Sequence, residues 1–215
     1  MARHWTPVVV GLGGTAREGS GTERVLRAAL AAAERRGART ELLAGANLDL
    51  PMYVPGAAGR TERARALVAA LGSADGVIVA SPAYHGTVSG LVKNALDHVE
   101  DLREARRPYL DGRAVGCVAA AGGWQAAGTT LVGLRSVVHA LRGWPTPLGV
   151  AVNTSEAVFG RDGALADPSA LAAIDVMAAQ VVDFALAHHG AAAASWQHTA
   201  RRHRSSTPTP PKEIA

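Results

Sequence analysis

The sequence is poor in the residues that build disulfide-bonded, zinc-binding and membrane proteins. Cys117 is the single cysteine among 215 residues and lies in the apolar run from Ala114 to Ala121, so we expect an inert core thiol and no disulfide or zinc cluster. No apolar run reaches the length of a membrane span, and the N-terminus lacks the apolar core of a signal peptide. We therefore expect a cytoplasmic protein with no membrane partner.

Metal-binding patterns are also missing. The histidines outside the segment 81–90 are not spaced with carboxylates or cysteine as metal ligands are, and we predict no metal. They are His4, His98, His139, His188, His189, His198 and His203.

Charge is concentrated at the C-terminus. After Gly190, four cationic residues against Glu213 carry +3 of the net charge of +4, which leaves the body nearly neutral in spite of a pI near 9.8. We predict one domain over residues 1–189, because 48% hydrophobic residues can bury one sizeable core. Residues 190–215 have the composition of a disordered, basic, Pro-rich tail. A near-neutral body does not favour a nucleic-acid partner.

Apolar runs alternate with helical patterns along the chain. Strands are predicted at 7–12, 40–43, 76–80, 114–120 and 147–152, and helices at about 23–36, 61–71, 91–102, 125–141 and 168–188, with Gly122–Trp124 as the break before the fourth helix. Uniformly apolar strands between helices indicate an α/β fold with a doubly wound five-stranded parallel sheet, flavodoxin-like, in the order 2-1-3-4-5. Ligands bind such sheets beyond the carboxyl ends of the strands.

A glycine-rich segment from Gly14 to Thr22 follows the first strand and opens the first helix. Its glycines allow close approach to an anion, and its hydroxyl groups and Arg17 can donate to a phosphate. The spacing imitates a nucleoside-triphosphate loop, but the required lysine is missing. Two alternatives stay open: a dinucleotide fingerprint on Gly11, Gly13 and Ala16, and a turn that binds nothing.

Three segments carry a resemblance to a known family. The segment from Ser81 to Asp97, with Pro82, an aromatic–polar pair, a glycine turn and Leu-Val-Lys-Asn-Ala-Leu-Asp, resembles the signature of the NAD(P)H-dependent FMN reductase family. The segment Gly14–Ser20 is similar to that family's first motif, and Leu50–Tyr53 to its apolar loop after strand 2. The likeness spans residues 7 to about 188. The family's usual Glu and Asn are replaced by Ala83 and His85.

The resemblance implies FMN as cofactor, NADPH or NADH as co-substrate, and no catalytic side chain, since the flavin supplies the reactivity. The implied cofactor-binding residues are Thr15, Arg17, Gly19, Ser20, Thr22, Pro82, Ala83, Tyr84, His85, Gly86, Thr87, Ala121, Gly122, Gly123 and Trp124. The last of these could stack on flavin or line an oligomer interface, and Lys93, Asn94 and Asp97 are expected to tie their helix to the loop.

The function so implied is hydride transfer from nicotinamide to flavin N5 and onward to a flavin, quinone or other small acceptor. A homodimer or homotetramer is expected, and a flavin-dependent monooxygenase is an implied partner. The alternative is a flavodoxin-like electron carrier without its own NAD(P)H oxidation. Such carriers tend to be strongly acidic, which a near-neutral body does not match.

Overall fold

The computed structural model describes residues 5–57 and 59–205, and residues 1–4, 58 and 206–215 lie outside that part. Strands and helices alternate along it as the sequence predicts. In chain order they are β1 (Val8–Gly13), α1 (Gly21–Arg35), β2 (Arg39–Leu43), α2 (Glu62–Ser73), β3 (Gly76–Tyr84), β4 (Thr87–Val88), α3 (Gly90–Asp97), β5 (Ala114–Ala121), α4 (Trp124–Ala140), β6 (Trp144–Pro145), β7 (Val150–Asn153) and α5 (Pro168–Ser205). Single turns of 3₁₀ helix cover Gly45–Leu48 and His98–Leu102.

The sheet is parallel and runs in the order β2-β1-β3-β5, with β6 and β7 both paired to the far edge of β5. This confirms the predicted 2-1-3-4-5 order. The fifth position is filled by two short strands instead of the predicted single strand at 147–152, because Pro147 has no backbone N–H to pair. The chain leaves the sheet after Pro145 and rejoins it at Val150.

Each face of the sheet is covered by helices, so the strands are buried on both sides. Val9 and Ile78 pack with α1 and α5 on one face, while the alternate residues Val10 and Val77 pack with α2, α3 and α4 on the other. Cys117 belongs to the second face, and burial raises the pKa of its thiol to about 12. The prediction of an inert core thiol agrees with this environment.

Hydroxyl side chains cap the starts of α1 and α2. The Thr61 hydroxyl accepts a hydrogen bond from the Ala64 amide at 3.2 Å, as expected of an N-cap. Ser20 caps α1 in the same way, accepting from the Glu23 amide at 3.3 Å. The helix therefore begins two residues earlier than the pattern of apolar residues indicated.

One apolar helix departs from the sequence prediction. Pro168–Gly190 is long and apolar enough to span a membrane, with a mean hydropathy of 1.8, so the prediction that no such run exists was wrong. Its inward side chains are buried against the sheet and α1, which accounts for their apolar character within the fold. They are Ile174, Met177, Val181, Val182 and Ala185. Leu186, one turn further along the helix from Val182, is 44% exposed.

The same helix continues past its predicted end at His188 to Ser205. The proposed boundary of a tail at residue 190 therefore does not coincide with a helix end. The last ten residues of that tail lie outside the described part of the chain, and its disorder stays a prediction.

Truncation after Gly190 tests whether the tail matters to the fold. Among the residues of α5 up to Gly190, the last buried side chain is that of Ala185, so we expect the shortened protein to keep its melting temperature within about 3 °C, since surface changes cost little free energy. Differential scanning calorimetry measures this. A melting temperature lowered by ten degrees or more would show that the removed residues belong to the folded core or to an oligomer.

Candidate functional site

The loops that follow β1, β3 and β5 meet at the carboxyl edge of the sheet. One open depression, of about 430 Å³, is bounded by the segment Gly14–Arg17 together with Tyr84, Ser89 and Leu91. A second, of about 500 Å³, lies between Gly86, Gly122–Gly123 and the first turns of α4. The structure thus brings together the three segments that the sequence singled out, with the β3 loop between the two depressions.

The turn out of β1 depends on Gly13. A Cβ atom at this position would lie 1.9 Å from the Ala80 carbonyl oxygen, and Gly13 has a φ of +149°. Gly14 follows with a φ of +106°, and its amide donates to the same Ala80 oxygen at 3.1 Å. The backbone of the loop is therefore pressed against β3, which opens the space above it.

Hydroxyl groups shape the loop from Thr15 to Ser20. The Thr15 hydroxyl accepts from the Arg17 amide at 3.1 Å, which closes a small turn and leaves Arg17 exposed at its tip. The amides of Gly21 and Thr22 lie in the first turn of α1, where no carbonyl within the helix can accept from them. Helix-start amides, an exposed guanidinium and the Ser20 hydroxyl are the donors that a phosphate dianion requires, so these residues fit the group.

Glu23 is a part of this site that the sequence did not suggest. It is 2% exposed, although it lies on the first turn of an amphipathic helix. One carboxylate oxygen accepts from the Gly19 amide at 3.0 Å, and the other accepts two bonds from Arg27, at 2.9 and 2.7 Å. Gly19 was expected to be a cofactor-binding residue. Its amide is engaged by Glu23, so its contribution is the turn itself, with a φ of +65°.

The segment after β3 is a hairpin and not the open loop expected over Ser81–Gly90. β3 extends to Tyr84, which pairs with Thr87 in β4, and the two turn residues have positive φ, +53° at His85 and +80° at Gly86. Such a turn matches the twist of a two-residue hairpin. Glycine adopts a positive φ without strain, whereas His85 does so as a non-glycine residue.

The base of the hairpin is fixed by a buried serine pair that the sequence analysis passed over. Ser81 is fully buried and accepts from the Ser89 amide at 3.0 Å, while the Ser89 hydroxyl caps α3. Pro82 is buried within β3 opposite Ala120, Ala83 is partly buried opposite Val88, and Tyr84 is 54% exposed. The exposed part of the hairpin is therefore Tyr84 to Thr87.

Residues at the end of β5 and the start of α4 lie on two different sides of the helix start. Gly122 and Gly123 face the depression beside Gly86, whereas Ala121 is buried opposite Asn153. Trp124 borders a separate cavity of about 340 Å³ next to β7, and its indole N–H donates to Glu156 at 2.9 Å. Trp124 thus lies on the other side of the helix start from Gly86.

The apolar loop Leu50–Tyr53 is held by α3. The Asn94 side chain accepts from the Tyr53 amide at 2.8 Å and donates to the Pro51 carbonyl at 3.1 Å. Lys93 pairs with Asp97 at 2.6 Å on the outer side of the helix. Asn94 therefore ties α3 to the loop Leu50–Tyr53, whereas Lys93 and Asp97, expected to act with it, pair with each other within the helix.

Comparison with known proteins agrees with this geometry. The family model described as NADPH-dependent FMN reductase matches residues 7–157. The chain belongs to this family. An FMN-dependent NADPH-azoreductase of Staphylococcus aureus is 34% identical over 91 residues, which are 42% of this chain and 45% of the relative. The chain thus matches less than half the length of that curated relative.

Solved structures show the same fold. The flavoenzyme NAD(P)H:(acceptor) oxidoreductase FerB from Paracoccus denitrificans matches with a TM-score of 0.70 at 20% identity, covering 85% of this chain and 99% of that one. A flavodoxin, WrbA-like protein from Agrobacterium tumefaciens matches with a TM-score of 0.57 at 18% identity, covering 86% and 99%. FMN reductase family membership and a flavodoxin-like fold are both established.

The hairpin turn gives a direct test of the role of its backbone. A Cβ at Gly86 would meet only the Thr129 hydroxyl, at 3.9 Å, so the cost of a substitution there comes from φ and not from space. We expect Gly86→Val to weaken FMN binding at least about tenfold, Gly86→Asn to weaken it much less because Asn tolerates positive φ, and His85→Ala to have the smallest effect. Fluorescence titration measures all three. If His85→Ala lost FMN binding while Gly86→Val bound FMN normally, the His85 side chain and not the backbone of the turn would be responsible for binding.

Glu23 gives a second test, of loop positioning. We expect Glu23→Ala to lower FMN affinity about tenfold while riboflavin affinity is unchanged, because freeing the Gly19 peptide disorders the phosphate loop alone. Glu23→Gln keeps an acceptor for the Gly19 amide and should bind FMN within about threefold of the original protein.

The matched control is Glu18→Ala, since Glu18 is exposed on the same loop and borders the same small cavity as Glu23. It removes a negative charge without removing the contact to Gly19. If Glu18→Ala and Glu23→Ala change FMN affinity equally, charge and not positioning is responsible.

Proposed function

We propose that this protein is an NAD(P)H-dependent FMN oxidoreductase that passes electrons from nicotinamide, through bound flavin, to a small-molecule acceptor. The observation that carries the proposal is the convergence of a phosphate-type loop, a glycine hairpin turn and a Gly-Gly loop around two adjoining open depressions at one edge of the sheet. Family membership supports the same reading.

The phosphate of FMN would be held by the segment Thr15–Thr22. Its amides at the start of α1 carry partial positive charge. Arg17 adds a full positive charge, which takes the place of the lysine that a nucleoside-triphosphate loop would have. The Thr15 and Ser20 hydroxyl groups keep the loop in shape, and Glu23 holds the Gly19 peptide from the inner side.

The ring of the cofactor would lie against the hairpin from Pro82 to Thr87, with its edge towards Gly122 and Gly123. Bound FMN supplies the hydride-accepting and electron-donating chemistry. Small residues on both sides would let peptide groups come close to the ring. Amides of the Gly122–Gly123 loop can stabilise negative charge on the ring better than a flexible side chain, because their positions are already fixed. Tyr84, which is half exposed, would lie beside the ring on the side that faces the phosphate.

The open depressions admit both substrates in turn, which implies ping-pong kinetics with NADPH or NADH as donor. Acceptors of the proposed class are free flavin, quinones and azo compounds. We further propose a homodimer or homotetramer in the cytoplasm, in which exposed apolar groups such as Met52, Val54 and Val132 are covered by another copy. Supply of reduced flavin to a flavin-dependent monooxygenase is a role consistent with this activity.

Anaerobic mixing of the FMN-loaded protein with NADPH, and separately with NADH, tests the proposal. We expect bleaching of the flavin absorbance, followed by its return when a quinone is added. Arg17→Ala should need at least about tenfold more FMN to saturate, because one hydrogen bond to a charged group is lost, yet bleach at the same rate once saturated.

Riboflavin is the matched control, since it lacks the phosphate and should bind equally to both proteins. Stable flavin binding without bleaching by either nucleotide would favour the flavodoxin-type carrier. Equal affinity for FMN and riboflavin in the unmodified protein would contradict the phosphate site.

A further inference from the structure

A cavity of about 450 Å³ lies at the amino edge of the sheet, opposite the flavin site. It is formed where the chain enters β1, β3, β5 and β6, and where α5 passes beneath them. Its walls carry two arginines, two tryptophans and two histidines: Arg106, Arg107, Trp5, Trp144, His188 and His189. None of these residues belongs to the elements that form the proposed flavin site.

Two arginines beside this cavity are bonded to backbone carbonyl groups. Arg113 is fully buried and donates to the carbonyls of Ala74 at 2.9 Å and of Tyr109 and Asp111 at 3.2 Å. Arg107 donates to the Gly112 carbonyl at 3.0 Å and to those of Asp111 and Ala74. Among the described side chains, no carboxylate forms an ion pair with either guanidinium. Buried charges are ordinarily paired.

The negative groups nearby leave an excess of positive charge. The carbonyl end of α2, which includes the Ala74 oxygen, is worth about half a negative charge. Asp75 and Asp111 also border the cavity, and each carries a negative charge; one oxygen of Asp75 accepts from the Val8 amide at 2.9 Å, and Asp111 is exposed to water. Against these stand Arg113, Arg107 and Arg106. Burial lowers the pKa of Arg113 to about 10, and the charge of Arg107 contributes to the same shift, while the charges of Asp75 and Asp111 oppose it.

The aromatic groups are arranged as flat, ordered surfaces. Trp5 stacks on His189 with ring centres 3.8 Å apart and planes 5° from parallel. Phe184 stacks on His188 and leans against Trp144, which remains 60% exposed. The His188 ring rests on Gly112, where a Cβ would lie 3.1 Å from Nε2. A planar ligand could stack on Trp144 while an attached anion reaches Arg106 and Arg107.

We propose that this cavity is a second binding site, for a nucleoside phosphate, with the phosphate on the Arg106–Arg107 side and the base on Trp144. The site is separate from the flavin loops, so its occupant would be an effector and not a substrate.

Isothermal titration calorimetry of the FMN-saturated protein with adenosine monophosphate tests the site, because FMN fills the phosphate loop at the other edge. We expect saturable binding, at least about tenfold tighter than that of adenosine. Arg106→Ala, an exposed position, should weaken it at least about tenfold. Trp144→Ala should lower the affinity for adenosine monophosphate but leave the affinity for inorganic phosphate unchanged.

Arg103→Ala is the matched control: Arg103 is exposed on the same loop but pairs with Glu100, outside the cavity, and its loss should leave the affinity unchanged. The proposal is overturned if no binding heat is measured, if adenosine binds as tightly as its monophosphate, or if Arg106→Ala and Arg103→Ala behave alike. Binding that NADPH displaces and that Arg106→Ala does not weaken would place the nucleotide in the co-substrate site and would equally overturn it.

Discussion

The close approach of the Gly13 backbone to the Ala80 carbonyl is the contact on which the rest of the site depends. Because β1 and β3 are neighbours, and helices return to opposite faces from them, the chain must leave β1 sharply at this point. A side chain at Gly13 would collide with β3. The bend directs the loop towards the start of α1, where helix-start amides are available, and leaves room beside it for the β3 hairpin. The proposed anion site and the proposed ring site therefore share one topological cause.

The site is built mainly from backbone groups held by buried polar side chains. Ser20 and Glu23 fix the phosphate loop, Ser81 fixes the hairpin through the Ser89 amide, and Asn94 fixes the apolar loop. Such an arrangement tolerates Ala83 and His85 in place of the family's usual Glu and Asn, since peptide groups keep their course when side chains change. It also suits a cofactor that brings its own reactivity, because the protein then needs to provide position and electrostatics.

Elements whose periodicity is long and regular were predictable from the sequence, and departures from regularity were not. Parallel strands and their order followed from uniform apolar runs between helices. Pro82 and Gly86 suggested a loop, but β3 continues through Pro82 to a two-residue turn at His85 and Gly86, because Ser81 and Ser89 anchor it. The buried Glu23 looked like a solvent-facing helix residue, and only the tertiary fold brings its carboxylate to Gly19. For Trp124 the sequence left open a stack on flavin or an oligomer contact, and Glu156, distant in sequence, accepts a hydrogen bond from its indole N–H beside β7.

A crystal structure of the protein with FMN bound tests the central claim most directly, that the bend at Gly13 builds the cofactor's phosphate site. The account predicts the phosphate within hydrogen-bonding distance of the Gly21 and Thr22 amides and the Arg17 guanidinium, with the ring between the His85–Gly86 turn and Gly122–Gly123. A phosphate bound elsewhere, such as beside Arg106 at the opposite edge, or a ring that contacts neither glycine loop, would contradict it.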